Sequence, residues 1–125
     1  MTGSNTTSAR RRSERSGRRS EWIAALALQL KGYRILERRF RAHGGEIDLI
    51  AQRGRVVAFI EVKRRKIIND AVEAVTARAR RRIEKAAEMF VARHVHLAEC
   101  EWRYDIVAIA PWRLKHLRGA WRFGE

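Results

Sequence analysis

Gly44 to Lys66 reads GGEIDLIAQRGRVVAFIEVKRRK, and this stretch decides the fold. Ile47, Leu49 and Ala51 alternate with Glu46, Asp48 and Gln52; Arg53-Gly54 interrupts and Val56 to Val62 resumes, the pattern of two strands joined by a tight turn. The second strand is apolar at successive positions, which requires cover on both faces, as at the centre of a mixed sheet. Into that dry run the chain places Glu61 and Lys63. A buried charge is costly unless it is paired or holds a metal, so both residues need partners.

Residues two apart on a strand share a face, so Glu61 and Lys63 project together. A two-residue turn at Arg53-Gly54 pairs Gln52 with Arg55, sets Asp48 opposite Phe59 and makes Glu61 its diagonal neighbour at roughly 7–8 Å. Two carboxylates then converge on one site. A three-residue loop reverses the parity and puts Asp48 on the other face.

The chain has 125 residues, room for one domain, and its 46% hydrophobic content is that of an ordinary globular protein. Its 28 Lys and Arg against 14 acids leave a net charge of +14, which argues for a polyanionic partner, nucleic acid (DNA or RNA) ahead of a membrane surface. The single cysteine, Cys100, excludes an internal disulfide and fits a reducing, cytoplasmic compartment. The longest apolar run, Ile23 to Leu30, contains Gln29 and falls far short of the ~20 residues of a membrane span.

Residues 1–18 are Ser, Thr, Gly and Arg with almost nothing to bury, so they are expected to form a disordered basic arm ahead of a single domain over 19–125. Arg10, Arg11, Arg12, Arg15, Arg18 and Arg19 make it either a phosphate-contacting arm or a solubilising tail. A helix capped by Ser16 or Ser20 runs to Lys31, with Gly32 as its stop. One stripe of it carries Trp22, Ala25, Leu26, Gln29 and Leu30, and an adjoining one Glu21, Ala24, Ala25 and Leu28, which sets Glu21 at the inner edge over the sheet. Tyr33 to Arg41 alternates as a first strand, and His43-Gly44-Gly45 turns into the hairpin. Asn69 or Asp70 caps one long helix to about Arg93, with Val72, Val75, Ala79, Ile83, Ala86 and Phe90 inward and Arg78, Arg81, Arg82 and Lys85 outward, where they can hold backbone phosphates. Glu101 to Ala110 is a further strand, in which Arg103 and Asp105 form a structural pair, and the tail with Leu114, Leu117, Trp121 and Phe123 supplies a last edge strand. His94, His96 and Cys100 match no common zinc spacing, and no phosphate-binding glycine loop occurs. Of four tryptophans, Trp112 and Trp121 are the exposed candidates for stacking on bases.

The order helix, strand, strand, strand, helix, strand, with Asp48 followed by Glu61-Val62-Lys63, resembles the PD-(D/E)XK nuclease superfamily. More closely, G-G-E-I-D-L-I-A followed by F-I-E-V-K-R-R resembles the small, basic YraN-like family of uncharacterised bacterial proteins, described as restriction-endonuclease-like in fold. The likeness runs from Gly17 to Phe123 and includes Glu21, Gly32-Tyr33-Arg34-Ile35-Leu36 and Arg103-Tyr104-Asp105-Ile106-Val107. Two positions depart from it: Ala79 follows Arg78 where relatives generally carry lysine, and Arg39 stands where asparagine is common. The resemblance implies an α/β restriction-endonuclease-like core and metal-dependent hydrolysis of phosphodiester bonds in DNA or RNA. On that pattern Asp48, Glu61 and the Val62 carbonyl hold Mg²⁺ or Mn²⁺, Lys63 positions or deprotonates the attacking water, Glu21 helps hold a second ion and Glu46 is a spare ligand. Arg64, Arg65, Arg78, Arg81 and Arg82 then contact nucleic acid. A non-catalytic nucleic-acid binder with a vestigial site is the alternative, and the missing lysine at Ala79 is its support.

Overall fold

The computed structural model describes the backbone of residues 3–125 and the side chains of residues 17–125. Helix α1 (Gly3–Leu30) is followed by strands β1 (Arg34–Ala42), β2 (Gly45–Arg53) and β3 (Val56–Arg64), helices α2 (Ile68–Glu73) and α3 (Ala77–Arg93), a 3-10 turn, and strands β4 (Glu101–Ala110) and β5 (Arg113–Trp121). The five strands lie in chain order in one open sheet. All neighbours are antiparallel except β3 and β4, which α2 and α3 connect in parallel, so the sheet is mixed, as expected, and β5 is its C-terminal edge.

β3 is the middle strand, and Val57, Ala58, Phe59 and Ile60 are wholly buried because both its faces are covered. On one face Ala24, Ala25 and Leu28 of α1 pack over Leu49, Ile60 and Val107. On the other, Ile83, Ala86 and Phe90 of α3 pack over Ile50, Phe59 and Ile106. Asp105, also wholly buried, accepts hydrogen bonds from Arg103 Nε (2.9 Å), His116 Nε2 (2.8 Å) and the Gly119 N–H (2.9 Å), which fastens β5 to β4 across a register shift. Those hydrogen bonds offset its burial and hold its carboxyl below the usual range.

Several expectations need correction. The hairpin loop is Gly54-Arg55, not Arg53-Gly54: Arg53 pairs with Val56, and Gly54, at φ 60°, takes the first loop position, which favours glycine in a two-residue turn. Helix α1 starts at Gly3 rather than near Ser16 or Ser20; no proline interrupts it, and Ser, Ala, Arg and Glu all tolerate a helix. Met1, Thr2 and the side chains of Arg10, Arg11, Arg12 and Arg15 lie outside the described residues. The expected long second helix is two, because Thr76 caps α3 through its hydroxyl, which accepts from the Ala79 N–H at 3.2 Å. On α1 it is the Glu21 stripe that faces the sheet, while Trp22 and Leu26 are exposed: alanines at 24 and 25 let the helix approach closely. Trp121 is buried rather than exposed, since its indole N–H donates to Glu84 at 2.9 Å. Among the described residues no helix is long and apolar enough to cross a membrane.

Candidate functional site

β2 rotates at Asp48. Ile47 packs into the α3 side of the core and Leu49 into the α1 side, although strict alternation would put both on one face. The neighbouring strand rotates at the same level: Arg38 pairs with Leu49 and Phe40 with Ile47, so Arg39 stands beside Asp48, and its backbone is left-handed at φ 53°. Beyond the Leu49 and Ile60 pair the ladder between β2 and β3 ends, and the Asp48 carboxylate takes over, accepting the Val62 N–H at 2.8 Å.

The shifted hairpin loop moves the register by two residues: Leu49 pairs with Ile60, so Asp48 and Glu61 are the next residues past the last paired rung instead of diagonal neighbours within the ladder. The two carboxyls lie close enough to act on each other's titration. Lys63 Nζ lies 3.6 Å from Glu61 Oε1. From α1, Glu21 reaches the same opening and is held by Arg39, whose Nε donates to Oε2 at 2.6 Å. These groups line a cleft of about 390 Å³, with Glu46, Arg64 and Arg65 on its rim and Gly17 and Ser20 on its α1 wall. Ser20 is buried there, and its hydroxyl has no partner among the described residues.

Burial is the main influence on all three inner acids. It pushes Glu61 up to about 8, reinforced by the charge of Asp48 and opposed by Lys63. Asp48 is also raised by burial, against the Val62 N–H, the neighbouring Glu61 carboxyl and the Lys63 charge. Glu21 is raised by burial, against the pull of Arg39. Two neighbouring carboxyls resist double ionisation, so the pair titrates as a unit and Glu61 keeps its proton toward neutral pH.

Of the residues singled out from the sequence, Glu21, Asp48, Glu61, Val62, Lys63, Arg64 and Arg65 come together in this one cleft. Arg78, Arg81 and Arg82 do not line it: Arg81 is turned to Glu84 at 3.2 Å, and the backbone of Arg82 packs against Gly45. Among the described residues no three His, Cys, Asp or Glu side chains form a group able to hold an ion. An ion here would therefore rest on Asp48, Glu61, the Val62 carbonyl and oxygens from water or substrate, the sparse donor set that Mg²⁺ accepts. Sequence reasoning missed Arg39 as the holder of Glu21 and Ser20 as part of the wall; for Ser20 the advance sign was the helical spacing that stacks it one turn from Ala24.

Residues 20–109 match the model of a family described as "Uncharacterised protein family UPF0102". The chain is similar to a UPF0102 protein of Mesorhizobium japonicum, 50% identical over 105 residues that cover 84% of each chain. It is similar as well to UPF0102 proteins of Paramagnetospirillum magneticum, 46% identical over 91% of this chain and 92% of that one, and of Rhizobium johnstonii, 48% identical over 91% and 93%.

Proposed function

Because the chain belongs to the UPF0102 family, whose description assigns no activity, we propose a function from the cleft itself: metal-dependent hydrolysis of phosphodiester bonds in nucleic acid, on a core of the restriction-endonuclease-like, PD-(D/E)XK kind, in the cytoplasm. The observation that carries this reading is the meeting of Asp48 and Glu61 in one cleft with Lys63 Nζ 3.6 Å from Glu61 and with Arg64 and Arg65 beside them.

Asp48 and Glu61, with the Val62 carbonyl, would hold Mg²⁺ or Mn²⁺, which when bound supplies Lewis-acid stabilisation of charge developing on the phosphate. The Val62 N–H fixes the Asp48 carboxylate and so the aim of its free oxygen. The Lys63 ammonium, one strand repeat from Glu61, faces the cleft and orients a water toward the phosphorus while offsetting phosphate charge. Arg64 and Arg65 draw the polyanion to the opening and hold phosphates flanking the scissile one. Glu21, kept in place by Arg39, adds a third acidic group to the opening and accepts a hydrogen bond from substrate or water. In a chain of net charge +14 the acidic cleft is a local exception, as a site for a cation between phosphates requires.

One observation favours a second reading, binding without hydrolysis: Glu21 is already engaged by Arg39 at 2.6 Å, so the acid set open to a cation narrows to two. Incubating the protein with single-stranded, duplex, flapped and branched DNA and RNA in Mg²⁺ or Mn²⁺ separates the two. Hydrolysis should occur and should vanish in Asp48→Asn and Lys63→Ala. Binding without cleavage of any substrate would leave the second reading, and cleavage undiminished in both variants would remove the site assignment.

A further inference from the structure

The turn from β4 to β5 carries a tryptophan that neither backbone nor packing favours. Trp112 stands at φ 64°, in the left-handed region that bulky side chains rarely enter and glycine enters freely. Its side chain is fully exposed, at 102%, so the core gains nothing from it. A strained residue with no packing return points to a role at the surface.

Its surroundings say which role. Trp112 borders a hollow of about 330 Å³ whose apolar floor includes Ile23, Ile109 and Leu114 and whose charged walls are Arg64 and Arg113. Among the described residues no carboxylate lines it. Arg64 also lines the acidic cleft, so the two depressions meet at that guanidinium. The junction is held in place by the Arg65 N–H, which donates to the Ile109 carbonyl at 3.0 Å and keeps the ends of β3 and β4 side by side. A flat aromatic face and two guanidiniums thus stand next to the cleft.

We propose that Trp112 is a stacking platform for an unpaired nucleotide base, with Arg64 and Arg113 holding the adjoining phosphates, and that the protein prefers single-stranded or frayed nucleic acid to intact duplex. The inference rests on the nucleic-acid reading of the neighbouring cleft. An unpaired base offers a free π-face to an indole, whereas a base inside a duplex is stacked on both sides. An apolar peptide would fill the floor but leave Arg64 and Arg113 without partners, and phosphates give both guanidiniums one.

The test is fluorescence anisotropy in EDTA with the full chain, using labelled single-stranded DNA and RNA of about 15 nucleotides and a blunt duplex of the same sequence. Trp112→Ala should weaken single-strand binding on the order of tenfold to a hundredfold and duplex binding less than twofold, while Trp112→Phe keeps most of the affinity. Since the side chain is fully exposed, the thermal midpoint should not fall. Equal single-strand affinity in wild type and Trp112→Ala, or a parallel loss on single strand and duplex, would overturn the proposal. So would a Trp112→Ala defect confined to anionic vesicles. EDTA keeps the outcome separate from hydrolysis: selective loss in Trp112→Ala with no cleavage by wild type leaves the platform standing without the nuclease. Normal binding by Trp112→Ala beside Asp48-dependent cleavage leaves the nuclease without the platform.

Discussion

Arg39 grips Glu21 at 2.6 Å from a backbone turned to φ 53°. The two features have one origin. β1 and β2 both rotate at this level, so that Asp48 leaves the ladder and faces the cleft, and the residue beside it on β1 must take the left-handed conformation. Arginine is poorly suited to that backbone, and asparagine well suited.

Both Arg39→Asn and Arg39→Ala should therefore release Glu21, but the asparagine variant should be more stable than the alanine variant by about 1 kcal/mol, since only asparagine supports the left-handed turn through its own side chain. Urea denaturation of the pair measures this. Equal stabilities would mean that the backbone conformation carries no cost worth relieving.

Glu61 gives the metal-free protein an unusual pH dependence. Its folded carboxyl is pushed up to about 8 from an ordinary 4.5, so between those values the folded chain keeps a proton that the unfolded chain releases. Stability must then fall as pH rises through that window and level off above about 8, because the unfolded state binds fewer protons there. Glu61→Gln, which stays neutral, should abolish this fall, and thermal unfolding from pH 5 to 9 in EDTA measures it. A wild-type profile as flat as that of the variant would show that Glu61 does not keep its proton.

Gly45 is a packing requirement rather than a turn residue. β2 passes directly under α3 there, and a Cβ would collide with the Arg82 carbonyl oxygen and come within 3.1 Å of the Ala86 Cβ. Gly45→Ala should cost on the order of 2–3 kcal/mol by pushing helix and strand apart. Gly54→Ala, where nothing stands within 4 Å, pays only for its positive φ and serves as the comparison. If the alanine at 45 were as well tolerated as that at 54, the helix would not be seated on β2 as described.

Much of this was legible in the chain. Alternation from Ile47 to Val62 marked the hairpin, and its parity survived because Arg53-Gly54 and Gly54-Arg55 are both two-residue loops; only the preference of glycine for the first loop position decides between them. The stripe from Val72 to Phe90 keeps its period across the break between α2 and α3, so the break showed only in the capping ability of Thr76. The alternation around Arg39 gave no sign of the rotation, since nothing in an alternating strand announces a left-handed residue. Trp121 was misjudged because its partner, Glu84, is distant in sequence, and a buried indole depends on where an acceptor arrives in space. Glu21 was foreseen at the inner edge of its helix, but its tie to Arg39 depends on a contact between elements that no local pattern specifies.

The central claim is that Asp48 and Glu61 form an acid pair whose retained proton yields to a divalent cation. Calorimetric titration of Mn²⁺ into the protein at pH 7, repeated in two buffers of different ionisation enthalpy, reports binding and proton release together. The account predicts saturable binding with about one proton released per ion, lost in both Asp48→Asn and Glu61→Gln. No binding heat in the wild type, or the same heat and proton count in the two variants, would contradict it.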